Sequence, residues 1–154
     1  ITNGLHLTFM PRWAPITALE RADLVQYVKS LSPRFVDEPQ GQSIAIPPAP
    51  SFTPELVRKG KDVWDKVQCA ACHGDTGKGD GGSAATLRDD WGFAIRPHDF
   101  TSGPLKVGDR PEDLYNAFMT GLNGTPMPSY AESISPEDAW ALVSYVRSLR
   151  KGGD

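Results

Sequence analysis

Residues 69 to 73 read CAACH, from Cys69 to His73, and Cys69 and Cys72 are the only cysteines in the 154 residues. A C-x-x-C alone fits a redox dithiol, half of a zinc site or a disulfide; a histidine directly after it reads as attachment of a c-type haem. Two thiols add across the vinyl groups of the porphyrin while the adjacent imidazole reaches the iron, which needs this short, fixed spacing. The dithiol reading expects a strand of a βαβ unit before the motif, and the residues before Cys69 carry a helical pattern. A structural zinc needs two more ligands at suitable spacing, and the other histidines, His6 and His98, are isolated.

Immediately upstream, Thr53-Pro54-Glu55 starts a helix, with Thr53 as cap and Pro54 at the first helical position, where its missing N–H costs nothing. Leu56, Val57, Gly60, Val63, Trp64 and Val67 share one face of that helix, which runs into Cys69. Downstream, residues 74 to 108 are rich in Gly, Asp and Pro without a sustained period, and read as a long loop region. Its first part, GDTGKGDGG (74–82), lacks the spacing of a phosphate loop or a calcium loop and reads as a flexible turn. Asp109 and Glu112 suggest a capping box for a short helix that runs through Thr120 and stops at Gly121. Ser135-Pro136-Glu137-Asp138 opens the last helix, with Ala139, Leu142, Val143, Val146 and Leu149 as its apolar stripe, and Gly152 and Gly153 release it. The chain reads as all-α, almost entirely helix and loop.

The N-terminal third repeats part of the C-terminal third. GLHLTFMPRWA (Gly4 to Ala14) matches GLNGTPMPSYA (Gly121 to Ala131), and LVQYVKSL (24–31) matches LVSYVRSL (142–149). Thr17 to Leu31 reads as a helix with Thr17 as N-cap, Glu20 completing a capping box, and Leu24, Val25, Val28 and Leu31 as its stripe. From residue 33 to 52 the chain has five prolines and no helical period, and reads as an extended linker of polyproline character. The expected organisation is a partial repeat over 1–32, a proline-rich linker over 33–52 and a complete domain over 53–151.

The net charge is −3 with pI about 5.6, and the acidic excess lies wholly beyond residue 50. No block of like charge suggests a nucleic-acid surface, so nucleic acid is not an expected partner. No apolar run approaches the roughly 18 residues of a membrane span. No basic start followed by an apolar core opens the chain, as expected of a mature or trimmed chain or of a cytoplasmic one.

Together, Cys69, Cys72 and His73, a preceding helix with Gly60 and Trp64, a later Met-Pro and a final helix with Leu142-x-x-Tyr145 resemble the class I c-type cytochromes over about residues 54 to 150. The resemblance implies a small helical fold around one covalent haem c, in which the first and last helices cross at a small residue packed against aromatics. The stretch from Arg96 to Tyr130 is similar to cytochrome domains serving bacterial respiratory oxidoreductases. This implies redox partner proteins, a periplasmic or otherwise extracytoplasmic location, and the C-terminal part of a two-domain, dihaem cytochrome. Residues 1–50 are then the end of a preceding haem domain or a haemless arm, serving a homo-oligomer or a larger complex.

With His73 as one axial ligand, Met127 is the first candidate for the second, because Pro126 and Pro128 stiffen its loop and the family places its ligand methionine in such a loop. Met119, on the helical face with Leu114, Tyr115 and Phe118, reads as core. His98 reads as a loop histidine that bonds a propionate or solvent, with ligation as the alternative; His6 reads as a surface residue, and Met10 aligns with Met127. Arg96 is a candidate propionate partner, since a guanidinium bonds a carboxylate through two parallel N–H groups; a solvated arginine is the alternative. Pro97 resembles the family's proline near the proximal side, where a neighbouring backbone carbonyl accepts the His73 Nδ1 proton. Trp91, Phe93, Phe100, Tyr115 and Tyr130 are candidates for the haem wall or for plain core. A histidine–thioether iron makes an electron carrier rather than an enzyme; a peroxidase-like haem enzyme or a gas sensor, with a labile sixth ligand, is the alternative.

Overall fold

A computed structural model of the chain describes residues 1–4, 9–38, 41 and 43–150, and His6, Gly152 and Gly153 lie outside them. The order of elements is α1 (Ala18–Ser30), α2 (Arg34–Asp37), α3 (Pro54–Lys66), α4 (Ala70–His73), a 3₁₀ turn (Ala84–Thr86), α5 (Pro111–Thr120) and α6 (Pro136–Ser148). Among the described residues there is no strand, only an isolated antiparallel bridge between Arg88 and Ala94. The chain divides into two compact units, Ile1–Ser43 and Ile44–Asp154.

The helix starts follow local chemistry. The Thr53 hydroxyl accepts from the Leu56 N–H at 3.2 Å and the Ser135 hydroxyl from the Asp138 N–H at 3.1 Å, each followed by proline at the first helical position. Thr17 and Glu20 form the expected reciprocal capping box of α1. At α5 the expected box is displaced by one residue: the Asp113 carboxylate accepts the Arg110 N–H at 3.1 Å. The cause is tertiary, because the Asp109 carboxylate is already engaged by the Leu105 N–H at 3.0 Å and by Arg150 at 3.0 Å.

In the second unit α3 crosses α6 at Gly60. A Cβ there would fall on the Ala141 carbonyl oxygen and within 2.7 Å of the Tyr145 Cβ, so hydrogen at this position lets the two backbones touch. One turn on, Trp64 packs edge-on against Tyr145 with ring centroids 5.4 Å apart. Every residue of α6 from Ala139 to Val146 is buried, which accounts for the stripe and also for Trp140 and Ala141 between its members. Full burial of Leu142, Val143 and Val146 stabilises by about 1.5–3 kcal/mol each. α5 covers the other side of α6, with Tyr115 against Trp140 at 4.7 Å.

The first unit differs. α1 has no buried residue, and its stripe of Leu24, Val25, Val28 and Leu31 is exposed. The stretch 33–52, expected to be extended throughout, contains the single turn α2, and the boundary between units falls inside it. Its second half belongs to the second unit: Ile44 packs on that core, and the Arg147 guanidinium sits 4.8 Å from the centroid of the Phe52 ring.

Gly60→Ala tests the crossing. Alanine gains about 1 kcal/mol of helix propensity, but overpacking against a backbone carbonyl costs about 1–3 kcal/mol or more. Denaturant unfolding of the haem-loaded protein should show net destabilisation; an unchanged or raised midpoint would refute the backbone contact.

Candidate haem site

The motif begins where α3 ends. The Gln68 N–H donates to the Asp65 carbonyl at 3.2 Å and the Cys69 N–H to the Trp64 carbonyl at 3.0 Å. This is the paired bonding of a Schellman turn, whose left-handed position glycine usually fills. Here Gln68 fills it at φ 59°, the one non-glycine residue with positive φ among those described. The turn reverses the chain so that Cys69 stands at the N-cap of α4, which carries Cys72 and His73, with all three side chains half-buried.

His73 is fixed from three sides. Its Nδ1 lies 3.4 Å from the His98 carbonyl oxygen. A carbonyl only accepts, so Nδ1 carries the proton and Nε2 keeps its lone pair. The Phe100 ring stacks on the imidazole at 4.7 Å and Trp64 stands 5.8 Å away. Burial first of all holds the His73 pKa below its ordinary value, so the ring is neutral at neutral pH. The carbonyl partner expected beside Pro97 is therefore present, one residue on.

The glycine-rich stretch 74–82, expected to be a flexible turn, is tied down by its backbone. The N–H groups of Gly79, Gly81 and Ser83 donate to the carbonyls of His73, Cys72 and Ala71 at 2.8, 3.1 and 2.9 Å, and Phe100 N–H to the Gly77 carbonyl at 2.7 Å. The first three of these bonds satisfy orphan carbonyls at the end of α4. Gly79, at φ +72°, brings its backbone so close to Pro97 that a Cβ would lie 2.5 Å from the Pro97 carbonyl oxygen. Sequence reading missed this clasp, although glycines at 74, 77, 79 and 81 directly after the motif are its signal.

The Met127 loop is folded back on the end of α5. Gly121, at φ +69°, lets the chain fold back so tightly that a Cβ would lie 2.7–2.9 Å from atoms of Met127, Pro128 and Ser129. The Ser129 hydroxyl donates to the Met119 carbonyl at 2.6 Å, the Tyr130 N–H to the Phe118 carbonyl at 3.0 Å, and the Leu122 N–H to the Met127 carbonyl at 3.1 Å. Met127 and Tyr130 are half-buried on the same core as Cys69, whereas Met119 lies inside it. Tyr130 faces the motif: burial first, then the nearby Cys69 and Cys72, push its phenol up to about 12. Phe100 and Tyr115 are buried, Pro97 is half-buried, and Arg96, Trp91 and Phe93 are exposed. The Trp91 indole lies against Gly124, where a Cβ would be 3.2 Å from it.

These residues fit a covalent haem. Burial pushes the Cys69 thiol up to about 12, the opposite of the depressed pKa that a redox dithiol or thiolate ligand needs. Among the described residues no three His, Cys, Asp or Glu side chains cluster as a metal site. His73 offers Nε2 with its tautomer fixed by the His98 carbonyl, and the His98 Nε2 is buried without a protein partner, as suits a polar contact from a bound group.

An all-α domain that presents two half-buried thiols and an oriented imidazole on one helical turn belongs to the haem-attaching class. The cytochrome c family model matches residues 57–150, and the chain belongs to that family, whose members bind haem c covalently and carry electrons. It is 25% identical over 144 residues to the cbb3-type cytochrome c oxidase subunit FixP of Sinorhizobium medicae, with 88% of this chain and 41% of that protein covered. It is 28% identical over 136 residues to cytochrome c oxidase subunit 2 of Alkalihalophilus pseudofirmus, with 88% and 34% covered. The chain thus spans less than half the length of either. A chain of the Kuenenia stuttgartiensis reducing HAO-like protein complex matches with TM-score 0.92 and 40% identity, over 98% of this chain and 69% of that one. No helix of the described residues is long and apolar enough to cross a membrane.

The left-handed Gln68 costs on the order of 1–2 kcal/mol relative to glycine, partly offset by the greater freedom of glycine in the unfolded chain. Gln68→Gly should raise the unfolding free energy by up to about 1 kcal/mol and keep the haem spectrum. Destabilisation would show that the Gln68 side chain has an unrecognised role.

Proposed function

We propose that this chain carries one haem c, joined through thioether bonds to Cys69 and Cys72, with His73 Nε2 and Met127 Sδ as the axial ligands, and that it passes single electrons between partner proteins outside the cytoplasmic membrane. The observation that carries the reading is the His73 ring, protonated at Nδ1 toward the His98 carbonyl and stacked on Phe100, on the same turn as both thiols.

Bound haem c supplies a one-electron ferric–ferrous couple, and the protein supplies ligation, burial and orientation. His98 holds the imidazole in the ligating tautomer and makes it a better donor. Phe100 and Trp64 keep water from that ring. The Met127 loop is braced by Pro126, Pro128 and the Ser129–Met119 bond, so the thioether stays in place with little rearrangement when the charge changes. A thioether ligand raises the reduction potential. The braced loop favours a closed sixth position, and so a carrier over a haem enzyme or gas sensor. The two oxidase relatives support redox partners within a respiratory assembly. Arg96 and the His98 Nε2 are the candidate polar partners of the propionates. Pro97, Trp91, Phe100 and Tyr130 complete the candidate contacts.

Three measurements test this reading. Acid acetone extraction should leave haem mass on the denatured chain, and release of all haem would sink the attachment. Met127→Ala should abolish the sulfur-to-iron charge-transfer band of the domain's ferric haem and lower the potential, while Met119→Ala keeps the band and loses about 2–5 kcal/mol of stability; the reverse pattern would exchange the two roles. Reduced protein should bind carbon monoxide slowly or not at all, and prompt binding would favour the sensor or enzyme reading.

A further inference from the structure

Gly79 touches both supports of the His73 ring. Its N–H donates to the His73 carbonyl at 2.8 Å, which fixes it to the backbone of the motif histidine. On its other side it lies against the peptide that leads to the Nδ1 acceptor: a Cβ at Gly79 would fall 2.5 Å from the Pro97 carbonyl oxygen, 3.2 Å from the Pro97 carbonyl carbon and 3.4 Å from the His98 carbonyl oxygen. That last atom is the one that lies 3.4 Å from His73 Nδ1. The far end of the arrangement is held by the Phe100 N–H, which donates to the Gly77 carbonyl at 2.7 Å. Residues 97–100 therefore run beside residues 77–79, and at Gly79 the two stretches meet as bare backbone.

We infer that Gly79 is a positioning residue for the haem iron: the missing side chain lets the His98 carbonyl come close enough to accept the His73 Nδ1 proton, and through that bond Gly79 sets how strongly the imidazole donates. The inference rests on His73 Nε2 being an axial ligand. A separation of 3.4 Å already exceeds the usual range of about 2.7–3.2 Å for an N–H···O bond, so little further withdrawal breaks it. A methyl group at position 79 forces such a withdrawal, because no carbon sits 2.5 Å from a carbonyl oxygen and a backbone oxygen cannot rotate aside as a side chain can. With a weaker bond at Nδ1 the imidazole is a poorer donor. Ferric iron is then less stabilised, and the reduction potential rises.

Conformation and space are separate demands on this loop. Gly77 and Gly79 both sit at φ +72°, a region that asparagine visits more readily than alanine does. At Gly77 the nearest atom to a Cβ would be Leu149 Cδ1 at 2.6 Å, the far end of a flexible side chain, with Phe100 Cβ at 3.5 Å. Substitution strains the backbone equally at the two glycines, but only at Gly79 does it press on the carbonyl that orients His73.

The test compares the haem-loaded full chain with Gly79→Ala, Gly79→Asn, Gly77→Ala and Gly77→Asn, the asparagine variants because they fold with less backbone strain. Potentiometric titration gives the reduction potential of each. Proton NMR identifies the His73 ring in both redox states, and exchange of its Nδ1 proton for deuterium is timed in the reduced protein. Both Gly79 variants should titrate at a higher potential than wild type and exchange that proton roughly two- to tenfold faster, the worth of one hydrogen bond. Both Gly77 variants should keep the wild-type potential and exchange rate while losing comparable stability. An unchanged potential and exchange rate in Gly79→Asn, or an equal rise in the Gly77 variants, would overturn the inference and leave His73 as a ligand. His73 ring protons with no hyperfine shift in the ferric wild type would overturn the reading of His73 itself, and the inference with it.

Discussion

The contact of the α3 and α6 backbones at Gly60 sets the position of everything that surrounds the motif. With no side chain between the helices, Trp64 comes edge-on to Tyr145 at 5.4 Å, and the same indole stands 5.8 Å from the His73 ring. The Tyr145 hydroxyl also reaches the Asp75 carbonyl at 3.5 Å, tying the closing helix to the loop just after the motif. A side chain at position 60 would push α6 away and carry these contacts with it, so one hydrogen atom's worth of space governs both the core and the orientation of the imidazole.

Around the imidazole the fixing is done largely by main chain. The His98 carbonyl sets the ring tautomer, three amides of residues 79–83 satisfy carbonyls of α4, and the Schellman turn at Gln68 aims the motif. Main-chain groups are suited to this because they have no rotamers to lose or to shift. In the Met127 loop a side chain, the Ser129 hydroxyl, latches the loop to the end of α5. Both loops are held by bonds within the protein, and a site already arranged reorganises little on gaining or losing an electron.

The sequence made some of this legible and hid the rest, for physical reasons. Cys69, Cys72 and His73 could be read because covalent attachment dictates a local spacing, and Thr17, Thr53 and Ser135 because a cap is a contact across three residues. Gly60 was readable only through a family resemblance, since a close approach of helices leaves no local mark beyond a glycine in a helix. The box at α5 was misplaced because Asp109 is taken by Leu105 and Arg150, the latter 41 residues away. Gln68 gave no sign, because a glutamine in the left-handed region is chosen by the fold and not by propensity. Burial of aromatic residues was equally hidden: Phe100 lies under His73 while Trp91 and Phe93, in the same glycine-rich region, are exposed.

The contrast between α1 and α6 shows how far local signals reach. α1 is capped at both ends and bonded like α6, yet none of its residues is buried. A helix of 13 residues is marginal in water on propensity alone, since isolated helices shorter than about 12–15 residues rarely persist. A capping box adds on the order of 1 kcal/mol, too little to offset the exposure of Leu24, Tyr27, Val28 and Leu31. α6 escapes this difficulty because α3 and α5 bury it from two sides. The same letters therefore specify the same turn of helix in both places, but only in α6 is the apolar face of that helix buried.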